Sequence, residues 1–238
     1  MMKKTLVSML AALGLMAGTA QADFLGLYVG GGMWDHDPSG DFSSVGDPTI
    51  DLGNNLGMGN ETEAYLYAAF EHPIPLIPNI RLDSTALTHD GNASGIDFNG
   101  TPGLTGPATI SLDSLDMLLY WRILDNWVNL DIGLSLRDFD GEFTIANETR
   151  SISESIPTAY AAVMFDMPFT GLSIGGDFYH TGLDDNSLDD IRLRVAYEMG
   201  VIGFEGGIRN YSLKLDDVDG VNADLKFDGI FLGVFLHF

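Results

Sequence analysis

The sequence has no cysteine among its 238 residues, which excludes a disulfide framework, a thiolate zinc site and a cysteine nucleophile. It is also poor in positive charge. Eleven Lys and Arg stand against 34 Asp and Glu, a formal net charge of −23, and so acidic a chain is repelled by nucleic acid. Charged residues of both signs make up only 19%, below the roughly 25% of ordinary soluble domains. After the first 22 residues no segment offers 18 consecutive apolar residues, so no transmembrane helix is expected. What is present in excess is glycine, with 29 residues, and apolar side chains, 45% of the total with a mean hydropathy of +0.12. An acidic, glycine-rich chain that is still apolar implies apolar surface facing something other than water.

The N-terminus is an export signal by pattern. Lys3 and Lys4 supply the positive start, Leu6 to Ala17 an apolar stretch, and Ala20-Gln21-Ala22 an A-x-A cleavage site ahead of Asp23. Residues 1–22 are expected to be removed, leaving one domain over 23–238. Without Lys3 and Lys4, nine basic residues remain against 34 acidic ones, a net charge of −25.

Within the mature chain the dominant signal is period-two alternation. Val128, Leu130, Ile132, Leu134 and Leu136 alternate with Asn129, Asp131, Gly133, Ser135 and Arg137, which gives a strand one apolar and one polar face. Ile191, Leu193, Val195, Tyr197 and Met199 do the same, as do Ala64, Leu66, Ala68 and Phe70, and Ile230 through Phe238. Ten strands are expected, at 24–35, 61–72, 78–90, 109–122, 127–140, 156–167, 171–181, 190–199, 202–215 and 223–238, with eight as the alternative count. Ten is an even number, as a closed antiparallel bacterial barrel requires. The connectors alternate: 73–77, 123–126, 168–170 and 200–201 are short, whereas 36–60, 91–108, 141–155, 182–189 and 216–222 are longer and rich in Gly, Asp, Asn and Ser. Short inner turns and long outer loops are the asymmetry of outer-membrane barrels.

The signal peptide, the alternating strands and a last strand ending Ile230-Phe231-Leu232-Gly233-Val234-Phe235-Leu236-His237-Phe238 resemble a Gram-negative outer-membrane β-barrel protein. The resemblance covers the whole mature chain and implies an all-β, closed antiparallel transmembrane barrel. In that superfamily the terminal Phe with apolar residues at alternate positions resembles the signal read by the barrel assembly machinery, here Phe238, Leu236 and Val234. Partners implied in the same way are outer-membrane lipid, lipopolysaccharide and periplasmic chaperones. The opening Leu27-Tyr28-Val29-Gly30-Gly31-Gly32-Met33-Trp34 is similar to a family of small, largely uncharacterised barrels with glycine pairs in the first strand. A bend or close strand packing explains such glycines equally well.

The polar parity carries the candidate functional residues. Arg81, Arg122, Arg137, Arg192, Arg194 and Arg209 share it with Glu63, Glu71, Asp83, Asp116, Asp131, Asp177, Glu198 and Glu205. A barrel of about ten strands is narrow enough for such side chains to fill, joined by Tyr65, Tyr67, Tyr120, Tyr160 and Tyr179. The expectation is a salt-bridged lumen in a structural or surface-interaction protein, the alternative a narrow channel for small solutes. Acidic runs at Asp184–Asp190 and Asp216–Asn222 offer hard oxygen ligands for divalent cations, without the spacing of an EF-hand. A run from His72 to Pro78 with three prolines is expected to form a rigid inner turn. Hydrolase chemistry is the least supported class. His36 lies between Asp35 and Asp37, His89 beside Asp90 and His180 near Asp184, but sequence neighbours on a strand point to opposite faces. No catalytic residue, metal site or cofactor is assigned.

Overall fold

The computed structural model describes residues 25–74, 76–183 and 185–238. The expected export signal, 1–22, lies outside them, as do Pro75 and Asp184. Twelve strands follow one another without a helix among these residues: β1 (Gly26–Ser44), β2 (Ile50–Asp51), β3 (Glu61–Glu71), β4 (Asn79–Thr85), β5 (Thr88–Phe98), β6 (Thr101–Asp125), β7 (Val128–Ile145), β8 (Glu148–Met167), β9 (Leu172–Leu183), β10 (Asn186–Met199), β11 (Ile202–Val218) and β12 (Val221–His237). Each of β6 to β12 pairs antiparallel with the next, and β12 returns to β1 in an unbroken register from Tyr28↔His237 to Ser44↔Val221. Closure removes both sheet edges, the condition for a sheet in lipid, where unpaired backbone groups find no water. The wall has ten positions, because β4 and β5 occupy one line along β6 (Thr85↔Ser114, Thr88↔Ser111) and β2 is a two-residue stub on β1. Ten strands therefore stand and eight do not.

The expected boundaries fail in one direction. The strands run on through most of what reads as outer loop, so β1 extends to Ser44, β6 starts at Thr101, and β7 and β8 meet at a two-residue turn, Ala146 and Asn147. The physical reason is that the barrel continues past the membrane with the opposite polarity. On β7, Ile132, Leu134 and Leu136 point outward and are exposed, and beyond them Asp138, Asp140 and Glu142 take the same parity. Facing inward, Asp131, Ser135 and Arg137 give way to Phe139, Phe143 and Ile145. On β12, outward Ile230 to Leu236 give way above to Asp228, Lys226 and Asp224, and buried Phe227, Leu225 and Val221 line the inside. A ten-residue lower part of β7, Val128 to Arg137, matches the 9–11 residues a tilted strand needs to cross a bilayer. The eight residues above it extend the wall by about 26 Å along the strand at ~3.3 Å each.

The outer section is built like a soluble protein. Its core joins Phe42, Phe98, Phe139, Phe143, Ile152, Leu188, Leu213, Leu225 and Phe227, with Ile50, Leu52, Leu56 and Met58 folded in from the connector after β1. The acidic residues expected in loops stand mostly on its outward strand faces, where water solvates them.

This boundary predicts opposite sensitivities on one strand. Leu134, 66% exposed in the apolar belt, replaced by Lys is expected to cost about 2–4 kcal/mol of stability in lipid vesicles. Asp140→Lys, on the same face above the belt, stays within about 0.5 kcal/mol. Urea titration followed by tryptophan fluorescence measures both, and equal costs would refute a membrane boundary between the two positions.

Candidate functional site

Of the fourteen charged residues expected on the polar parity, five arginines meet Glu71, Asp83, Asp116, Asp131, Asp177 and Glu205 inside the barrel and Arg209 meets Asp190 there, whereas Glu198 pairs with His237 at 3.0 Å and Glu63 has no ion pair among the described residues. Four ion-paired groups result. Nearest the inner end, Arg122 of β6 reaches Glu71 of β3 (2.6 Å) and Asp131 of β7 (3.1 Å), and the Tyr120 hydroxyl donates to Glu71 at 2.6 Å. Arg81 and Asp83, two apart on β4, pair at 2.6 Å with the guanidinium 4.3 Å from the Tyr67 ring centroid. Arg192 of β10 bonds Asp177 of β9 at 2.6 Å and lies 3.7 Å from Asp83. Arg194 pairs with Glu205 of β11 at 3.2 Å, and Glu205 accepts from the Tyr65 hydroxyl of β3 at 2.9 Å. Tyr65 and Glu205 lie three wall positions apart, with β1 and β12 between them, so this bond is made through the lumen.

The fourth group is the most deeply buried. Arg137 of β7, 1% exposed, donates through Nε to Asp116 of β6 and through Nη2 to Asp190 of β10 at 3.0 Å. Arg209 of β11 grips the same Asp190 with two bonds, 2.9 and 2.7 Å, and stacks 4.4 Å over Trp34. Two arginines and two carboxylates thus share a fully desolvated cluster, in which bidentate geometry offsets the cost of removing the charges from water. It sits directly beneath the apolar outer core. Asp190, 0% exposed, reads in the sequence as the end of an acidic run, yet it has the parity of Arg192 and Arg194, and that even spacing is the signal that identifies it.

Little space remains between these groups. A void of about 20 Å³ bounded by Trp34, Tyr65, Arg192, Arg194, Glu205 and Phe231 holds on the order of one water. Tyr65, Tyr67, Tyr120, Tyr160 and Tyr179 are all buried inward, and Tyr160 and Tyr179 pack 4.8 Å apart. The glycines of β1 serve the same crowding: a Cβ on Gly30 would meet the Tyr67 ring, and one on Gly32 would overlap the Leu232 carbonyl of β12.

The remaining candidates separate. Val234, Leu236 and Phe238 all point outward into the apolar belt, and the Phe238 amide and carbonyl both pair with Leu27, so the terminal residue is knitted into the closure. His180 pairs with Asp189 at 2.7 Å on the exposed outer face, and Asp184 lies outside the described residues. His36 and His89 meet each other, not their neighbouring aspartates. Among the described residues no three His, Asp or Glu side chains converge as metal ligands. The run 185–190 lies mostly in β10, whose pleat turns Asp189 out and Asp190 in.

No family model and no curated protein matches the chain. Solved structures do. The outer membrane protease OmpT from Escherichia coli superposes with a TM-score of 0.53 at 10% identity, covering 94% of this chain and 99% of that one. Ail, the attachment invasion locus protein of Yersinia pestis, gives 0.43 at 12% over 91% and 100%. OprG from Pseudomonas aeruginosa gives 0.39 at 13% over 90% and 96%. The fold is that of outer-membrane β-barrels, and at these identities the likeness speaks of fold alone.

Removing Arg137 tests the buried cluster. Arg137→Met leaves Asp116 without its cation and strips one from Asp190, and is expected to cost about 3–5 kcal/mol. In Arg137→Met with Asp116→Leu part of that loss returns. A single variant within 1 kcal/mol of wild type in urea unfolding would remove the cluster from any role in stability.

Proposed function

We propose that this outer-membrane barrel is a closed, non-conducting protein with a structural or surface-interaction role, exported by a signal over 1–22, and that it is not an enzyme. The observation that carries this reading is that the interior is filled at two successive levels by different chemistry. In the membrane section the arginine–carboxylate groups bond across the lumen. Above them the interior is apolar core, including Leu52 and Leu56 at full burial. A hydrated ion would have to break desolvated ion pairs and then enter a packed hydrophobic interior, and each alone is prohibitive. A rim cleft for hydrolysis has no room where that core reaches the mouth.

What the barrel offers its surroundings is the outer wall, where Asp37, Asp138, Asp140, Glu142, Asp224 and Asp228 are exposed. That wall rises at the height of lipopolysaccharide phosphates, and divalent cations bridging the two would offset the repulsion. Outward Val234, Leu236 and Phe238 suit recognition by the assembly machinery before they meet lipid.

Two measurements test the reading. Folded protein in a planar bilayer is expected to be electrically silent at moderate voltage, and discrete steps that change on Arg137→Met would replace the closed-barrel function with the solute-channel alternative. Deleting Phe238 is expected to lower the heat-modifiable, folded fraction in outer membranes several-fold. An unchanged folded band would show that assembly does not read this residue.

A further inference from the structure

Among the described residues the wall loses strand pairing at two places above the membrane: upper β8, Glu148–Thr158, has no strand partner on its β9 side, and β1 and β5 leave a break between them. β5 pairs with β6 alone, and β1 beyond His36 pairs only with β12 and the short β2, so Asp37–Asp41 and 89–98 face each other across a window. Its upper edge is tied by the Asn99 amide donating to Ser44 Oγ at 3.1 Å and the Gly100 amide to Asp47 Oδ2 at 2.8 Å. Its lower edge is the contact between His36 Nδ1 and His89 Nε2, 2.9 Å. Residues 51–58 fill the opening as a flap. The Leu52 amide donates to the Gly40 carbonyl of β1 at 3.0 Å, and the Leu56 carbonyl accepts from the Asn92 amide of β5 at 2.7 Å. Gly91 makes room for it, since a Cβ there would stand 2.5 Å from the Leu56 carbonyl oxygen.

The hydrogen bonds determine both histidine tautomers. His89 Nδ1 lies 3.0 Å from the carbonyl oxygen of Gly59, the residue that follows the flap, and a carbonyl only accepts. His89 therefore donates through Nδ1 and accepts at Nε2, which makes His36 Nδ1 the donor of the shared bond. His36 Nε2 is left with a bare lone pair, buried and without a partner. A proton reaching the pair lands there, among the Trp34 ring at 4.2 Å, the Phe227 ring at 6.2 Å and the field of Arg209 from β11. The nearby carboxylates are Asp35 and Asp37 on β1, Glu61 on β3 and Asp90 on β5, and only water-facing Asp35 acts on His36. The first proton leaves the bond between the rings intact; a second, on His89 Nε2, sets two cations against each other and parts His36 on β1 from His89 on β5, which keeps its bond to Gly59 and carries that end of the flap with it.

We propose that the His36–His89 contact is an acid-released latch on the 51–58 flap, so that mild acid opens a side window into the apolar outer core. Burial, His89 and Arg209 hold His36 down to about 4, and burial lowers His89 as well. Both lie below the ordinary 6.5 of an unfolded histidine. The neutral latch thus contributes fully above about pH 6.5 and loses its contribution as pH falls toward 4.

Amide hydrogen exchange of the full mature chain in detergent micelles tests this, with rates at pH 7.5 and 4.5 each corrected for intrinsic chemistry. Protection of 51–58 is expected to fall at least tenfold at pH 4.5, while 128–137 stays protected. In His36→Phe, which keeps a ring but offers no proton site, the flap stays protected at both pH values. Gly91→Val, which wedges the flap, loses protection at both. Unchanged protection of 51–58 in the wild type at pH 4.5, or loss spread equally to 128–137, would overturn the latch. Should His36→Phe fail to fold, ¹⁵N ring shifts of the wild type decide the point, since a His36 titration at 6.5 or above is incompatible with it.

Discussion

A strand that runs unbroken from hydrocarbon into water must invert both of its faces at one level, and the rest of this structure depends on that constraint. The pleat assigns alternate residues to inside and outside whatever solvent surrounds them. Below the boundary the outside is lipid and must be apolar, which leaves polar residues for the lumen. Above it the outside is water, and the cheapest interior is hydrophobic. Leu136 and Asp138 lie two residues apart on the same outward face, and Arg137 and Phe139 two apart on the inward one. The chemistry changes sign between them without any change in the backbone.

The inversion explains why the interior closes so thoroughly. Charges in the lower lumen have little water to screen them, so each arginine is drawn to a carboxylate, and a ten-stranded circumference is small enough for partners on separated strands to meet. Asp190 shows the economy of the arrangement: one carboxylate on β10 accepts from Arg137 of β7 and Arg209 of β11, and the trio joins three wall strands at the level where the apolar core begins. Such a cluster is costly to desolvate, and what it secures is the mutual position of those strands rather than raw stability.

The same inversion governs how far the fold could be read from the sequence. Alternation such as Val128 to Leu136 is a simple pattern of greasy and polar residues, and ten wall strands follow from it. Beyond Arg137 the apolar residues move to the other parity, and Asp138, Asp140 and Gly141 then look like loop composition. The strands were accordingly expected to stop near the boundary. The lumen residues were legible because parity alone selects them. Asp190 opens an expected strand, 190–199, but its place at the end of the acidic run Asp184–Asp190 hides its lumen parity. The histidine contact was illegible, because His36 and His89 are 53 residues apart and only the closed barrel makes them neighbours.

The position of the window follows from the constraint as well. β3 has 11 residues where β1 has 19, so the wall beside upper β1 lacks a full-length neighbour. In hydrocarbon such a gap would leave a row of unpaired backbone groups, which lipid does not tolerate. It opens instead above His36, where water can take the unpaired groups and a flap can satisfy two of them through Leu52 and Leu56. A movable element in this barrel has no other level at which to exist, and a pair of neutral histidines at the lower edge of that gap stands where the fold has already passed from lipid into water.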